Sequence, residues 1–121
     1  MKVDIPGAAS IRSQVGIQAE DPAIFRPIEV DEAIEAARVL KRDETISEEI
    51  RDLLEVGIAL DLMPGHLTAP KTAIAERLRV SVRTIRRREI DWELVDQRIR
   101  FDLTHRAARL VFAARGANRQ G

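Results

Sequence analysis

The sequence predicts an all-α protein, a helical bundle that contains a helix-turn-helix and a long C-terminal helix behind an irregular N-terminal arm. Two observations carry this. Ala, Leu, Ile, Glu and Arg dominate, a helix-forming mixture, and aromatics make up only 3 % of the chain: Phe25, Trp92, Phe101 and Phe112, with no Tyr. A β-sandwich core, or a surface that stacks bases, wants more of them. At 121 residues the chain fits a single domain with a sizeable core.

Residues 1–29 hold Pro6, Gly7, Gly16, Pro22 and Pro27 without a helical period, which predicts an extended or partly disordered arm. Within it the fragments VDI and AIF are short strand candidates. Residues 30–121 form the helical domain. Its first helix is expected over about residues 31–41, capped by Asp31, with Ala33, Ile34, Ala37 and Leu40 on its apolar side. The string T45-I-S-E48 has the form of a capping box and starts a second helix. Its face is Ile46, Ile50, Leu53, Gly57 and Leu60, and Pro64-Gly65 ends it.

The stretch KTAIAERLRVSVRTIRRREI, residues 71–90, fits the frame of two short helices crossing at a tight turn, which places a helix-turn-helix at residues 70–89. Ala75 takes the small position where the helices touch, beside Ile74. Leu78 and Val80 bracket the turn, and Ile85 is the buried residue of the second helix. Pro70 suits a first helical turn, and Ser81 suits an N-cap. The turn position that usually carries Gly is Arg79, where a positive φ costs about 1 kcal/mol. A late core position is Arg88, so the second helix ends early or buries only an arginine stem.

Exposed at the start of that second helix are Ser81, Val82, Arg83, Arg86 and Arg87. The expected DNA-binding set is Lys71, Ser81, Val82, Arg83, Thr84, Arg86, Arg87 and Arg88. Arg83, Arg86 and Arg87 face the groove, Ser81 and Thr84 bond to phosphates, and Lys71 and Arg88 add charge. The charge distribution agrees. The chain carries 20 basic and 20 acidic side chains, yet residues 1–65 hold 7 basic and 14 acidic, and residues 66–121 hold 13 basic and 6 acidic. Net zero therefore conceals halves of −7 and +7, an asymmetry that points to a nucleic-acid-binding segment. Seventeen of the 20 bases are Arg, which favours forked contacts to phosphate and guanine.

The string IAERLRVSVRTIRRR resembles the first helix-turn-helix of AraC-type regulators, on Ala75, Leu78, Ser81, Arg83, Thr84, Ile85 and Arg87. The later LVDQRIRFDLTHRAARL resembles the helix that follows in that family, so the likeness covers about residues 66–112. It departs in three ways: the Gly-containing connection is shortened to Glu89-Ile90-Asp91, a second helix-turn-helix is not seen, and the first 65 residues show no sugar-binding barrel. The resemblance implies a DNA-reading module and not an effector-responsive activator.

Residues 91–115 are expected to form one helix of about 37 Å. One stripe is Trp92, Val95, Ile99, Leu103, Ala107, Leu110 and Ala114; a second, nearly opposite, is Leu94, Phe101, Ala108 and Phe112. A helix apolar on two sides needs two partners, which makes the second stripe the expected homodimer interface unless the N-terminal helices cover it. A twofold dimer reads two half-sites.

His66 and His105 are 39 positions apart without a ligand-spaced partner set, and the chain has no Cys, so neither a metal nor a disulfide framework is expected. No G-x-S-x-G, Walker loop or glycine fingerprint occurs, and neither enzyme activity nor a cofactor is expected. No secretory signal or spanning stretch is present, and a reducing, cytoplasmic setting is expected. The resulting expectation is a sequence-specific transcriptional regulator that binds double-stranded DNA as a homodimer. The alternatives are a protein-binding anti-activator or antitoxin-like module using the acidic half, and an architectural or recombination-directionality factor.

Overall fold

A computed structural model describes residues 26–63 and 70–120. These residues form six helices: α1 Val30–Leu40, α2 Glu48–Arg51, α3 Leu54–Leu62, α4 Pro70–Leu78, α5 Val82–Glu93 and α6 Gln97–Gln120. Among the described residues there is no strand. Most of the N-terminal arm, including VDI and AIF, lies outside the described residues, as do Pro64, Gly65 and His66.

α1 begins earlier than Asp31. Its N-cap is Glu29, in a capping box in which the Glu29 backbone N–H donates to the Glu32 carboxylate at 3.1 Å. The reason lies three residues on. Counting from residue 29 the reciprocal position is Glu32, which can accept; counting from residue 31 it is Ile34, which cannot. The buried side is Ala33, Ile34, Ala36, Ala37 and Leu40.

The second expected helix is broken in two. Ser47, not Thr45, is its cap and accepts from the Ile50 backbone N–H at 3.3 Å. Thr45 is diverted: its hydroxyl and backbone N–H both donate to the Asp43 carboxylate, at 2.6 and 2.9 Å. The chain then turns at Asp52 and Leu53 and restarts as α3. α3 buries Leu54, Val56, Gly57, Ile58 and Ala59, because it packs on α1, α4, α5 and α6 at once.

The expected single helix over residues 91–115 is not one helix. α5 continues through Glu89, Ile90 and Asp91 to Glu93, so those three residues are helical and not a connection, and Arg88 does not end the helix. The break falls at Leu94, Val95 and Asp96. There the Leu94 and Val95 backbone N–H groups close the last turn on Asp91 and Trp92, at 3.2 and 3.1 Å. The Asp96 carboxylate accepts from the backbone N–H groups of Arg98 and Ile99 at 2.9 and 3.3 Å, the geometry of an N-cap. α6 buries Leu103, Ala107, Val111 and Arg115, a stripe in steps of four, whereas Leu110 is half-buried and Ala114 exposed.

Two adjoining cores result. One gathers Leu40, Leu54, Ile58, Trp92, Leu103 and Val111 from α1, α3, α5 and α6. The other gathers Ile34, Val56, Ala59, Ile74, Ala75 and Ile85 from α1, α3, α4 and α5. α5 thus enters one core through Ile85 and the other through Trp92. These residues are seven apart and share one helix face, so α5 is anchored along its length with its other face free. No helix among the described residues is long and apolar enough to cross a membrane.

Candidate nucleic-acid interface

Helices α4 and α5 are joined by Arg79, Val80 and Ser81. The α4 terminus is a Schellman-type stop. The Arg79 backbone N–H donates to the Glu76 carbonyl at 3.3 Å, and the Val80 N–H donates to the Ala75 carbonyl at 3.0 Å. This geometry requires a left-handed residue after the helix, and Arg79 supplies it with φ 61°. Arg79 therefore adopts the strained turn that its position predicts. Val80 and Leu78 pack against the Ile74–Ala75 core, which holds the turn in place.

Ser81 then starts α5. Its hydroxyl accepts from the Thr84 backbone N–H at 3.1 Å and lies 3.1 Å from the Thr84 hydroxyl. These two expected phosphate ligands thus bond to each other. Val82 is turned against the core beside Ile85, and Thr84 and Arg88 are half-buried. The Lys71 ammonium lies 3.1 Å from the Glu89 carboxylate, tying the start of α4 to α5. Of the eight residues expected to meet DNA, Ser81, Arg83, Arg86 and Arg87 are exposed, and the three arginines project from α5 off the face that carries Ile85 and Trp92.

Sequence reasoning overlooked two residues near this face. Arg79, exposed in the turn, adds a fourth cation. Ile90, 59 % exposed, follows Arg83 by seven positions and so shares its side of the helix, a spacing visible in the sequence.

Charge pairing sharpens the surface. Arg77 reaches back to α1, with its Nε 2.6 Å from Asp31 and its Nη2 3.7 Å from Glu35. Arg106 meets Asp43 at 2.9 Å, and Arg115 meets Glu32 at 2.8 Å. Acids of the N-terminal half thus neutralise these three arginines of the C-terminal half. Arg79, Arg83, Arg86 and Arg87 make no ion pair with any described residue. Among the described residues the exposed arginines of the +7 half without an ion pair are these four together with Arg98 and Arg109 of α6, so four of the six gather at the turn and the first turns of α5.

Several carboxyls are tuned by this pairing. Hydrogen bonding from Arg115, assisted by the Glu29 backbone N–H, holds Glu32 down to about 2 against the opposing effect of burial. Thr45 and Arg106 hold Asp43 at about 2. Burial pushes Glu55 up, but Arg38 and Lys41 outweigh it and the carboxyl is lowered. Arg115 is raised by its bonds to Glu32. Among the described residues no cluster of three or more His, Asp or Glu could hold a metal ion, and His105 is exposed.

The four residues expected at a dimer interface are not brought together. Phe101, Ala108 and Phe112 share one face of α6, with Phe101 67 % and Phe112 41 % exposed and Ala108 half-buried. Leu94, 80 % exposed, sits on the break before α6 and borders a different groove. That groove, about 670 Å³, is lined by Ile50, Leu53, Leu94 and Ile99 together with Glu49, Asp52, Asp91 and Asp96. No model of a known protein family matches the chain, nor does any curated protein or solved structure.

Proposed function

We propose that the chain is a sequence-specific DNA-binding transcriptional regulator that presents the start of α5 to the major groove and acts as a homodimer. The observation that carries this reading is the set of unpaired, exposed arginines, Arg83, Arg86 and Arg87, on a helix fixed by a tight turn and anchored by Ile85 and Trp92. A recognition helix needs rigid support on one face and donors on the other. Arginine forks suit guanine edges and phosphates. The resemblance of residues 66–112 to the first helix-turn-helix of AraC-type regulators points the same way. Within this reading Ser81, Thr84, Lys71 and Arg88 set the position of α5, and Arg79 adds charge at its start. A cysteine-free chain of this kind suits a reducing, cytoplasmic compartment.

The test is a gel shift on mixed-sequence duplex DNA at about 50 and about 300 mM salt. Three neutralised phosphates give a loss of about 10²-fold across that sixfold range. Absence of any shift at low salt would overturn the reading. A second reading, a protein-binding module, is favoured by the acid-rimmed apolar groove beside α2. A chain that retains basic amphipathic peptides and ignores DNA would support it instead.

A further inference from the structure

The exposed strip on α6 has a periodicity that specifies its own occupant. Phe101, His105, Ala108 and Phe112 follow at steps of four, three and four, the alternation of a two-stranded helical seam. All four lie within a narrow arc of the helix, and none is fully buried by the chain's own fold. Leu103 and Ala107 turn away from this strip into the core, and Val111 is buried along one of its edges.

We propose that this strip is covered by the same strip of a second copy, with the two α6 helices antiparallel. The inference rests on the homodimeric part of the function proposed above and not on DNA binding. In the antiparallel register centred between His105 and Ala108, Phe101 faces the second copy's Phe112, and His105 faces the second copy's Ala108. A large side chain then meets a small one at the centre, and ring meets ring at both ends.

Charge fixes the choice of register and direction. The positions that flank this seam on its solvent side are Asp102 and Arg109, both exposed. In an antiparallel pair these equivalent flanking positions face each other, so each Asp102 lies beside the other copy's Arg109, twice over by symmetry. A parallel pair has no such match, because it sets Phe101 beside Phe101 and puts Asp102 and Arg109 beside the second copy's uncharged Gln97 and Thr104. Both groups are available. Asp102 has only a 3.8 Å contact with Arg106, whose guanidinium is already held by Asp43 at 2.9 Å, and Arg109 has no ion pair with a described residue. The other flank is closed, since Thr104 donates to Asp61 at 3.0 Å and Val111 is buried.

The test measures the mass of the full chain by sedimentation across a concentration series, without DNA. Asp102→Arg or Arg109→Asp alone should weaken dimerisation about tenfold, as two like-charge contacts of the surface class require. The double swap should restore it, and thermal unfolding of each single variant checks that it had folded. The chain lacks cysteine, so cross-linking is clean: a mixture of Phe101→Cys and Phe112→Cys chains should form a disulfide dimer. Phe101→Cys alone should not, because its two copies would stand about 16 Å apart along the seam. A chain that is monomeric up to about 1 mM, the weak limit for specific association, would overturn the inference. So would charge swaps without effect, or self-cross-linking of Phe101→Cys. DNA binding by a monomer would remove this inference and leave the regulator reading, and a DNA-indifferent dimer with this register would do the reverse.

Discussion

Trp92 occupies the space where a β-carbon on Gly57 would stand: ring atoms Cδ2, Cε2 and Cε3 lie against the Gly57 backbone. The indole Nε1–H donates to Asp61 at 3.1 Å, one turn along the same helix, and the ring is 1 % exposed. This contact seats the end of α5 on α3 and sets the direction in which the arginine face looks.

Gly57→Ala puts two effects in opposition. Alanine gains about 1 kcal/mol of helix propensity over glycine, whereas an added methyl in a filled core costs about 1–3 kcal/mol. The overlap is with a fully buried ring that cannot swing aside, so the steric effect wins. Urea unfolding should show a net loss of about 1–2 kcal/mol; a gain would show that Trp92 is free to move.

Arg79 holds a left-handed conformation at φ 61°. That conformation costs a non-glycine residue about 1–2 kcal/mol, partly offset by the greater unfolded-state freedom of glycine, about 0.5–1 kcal/mol. Arg79→Gly should therefore stabilise the chain by up to about 1 kcal/mol in thermal unfolding. If DNA affinity falls at the same time, the loss should be uniform over sequences, as for one phosphate-directed charge.

These two positions also show what could be read from the sequence. The apolar side of α1 emerged from its period, and the turn at Arg79 and the cap at Ser81 emerged from the spacing of small, apolar and hydroxyl residues. The break before α6 did not, because Trp92, Val95, Ile99 and Leu103 keep a helical period straight through it; only Asp96, a capping residue ahead of Arg98 and Ile99, signals the restart. Arg115 was also hidden. It extends the Leu103, Ala107, Val111 stripe by one step of four, but a charge in that place makes sense only once Glu32, 83 positions earlier, is known to be beside it. Exposure of Arg83, Arg86 and Arg87 followed from the frame, whereas the pairing of Lys71 with Glu89 and of Ser81 with Thr84 depended on partners that the frame does not specify.

Arg115 bonds both carboxylate oxygens of Glu32 at 2.8 Å and donates to the carbonyls of Arg26 and Pro27 at 3.0 Å. With the folded pKa of Glu32 lowered from 4.5 to about 2, its contribution is fully present above 4.5 and is lost as pH falls toward 2. Glu32→Gln should cost about 3 kcal/mol at neutral pH, since it removes the carboxylate that the 5 %-exposed Arg115 bonds through both oxygens. Its stability should then change less than that of the parent chain as pH falls through that window. Urea midpoints at neutral and acid pH check this, and parallel curves would mean that Glu32 is not held by Arg115.

On a binding site recovered by oligonucleotide selection, Arg86→Ala should cost about 1–3 kcal/mol and flatten the preference at one base pair. The recovered site should be an inverted repeat, as a twofold dimer requires. An equal loss on every sequence would assign Arg86 to phosphate.

The most direct measurement is the affinity of the parent chain and of the Arg83→Ala/Arg86→Ala/Arg87→Ala variant for a mixed-sequence duplex at about 50 mM salt, followed by fluorescence anisotropy, with thermal unfolding of both proteins alongside. The expected result is that the parent binds and the variant, equally stable, binds at least about 10²-fold more weakly. A parent that fails to bind, or a variant that binds as well as the parent, would contradict the assignment of α5 as the DNA-facing helix.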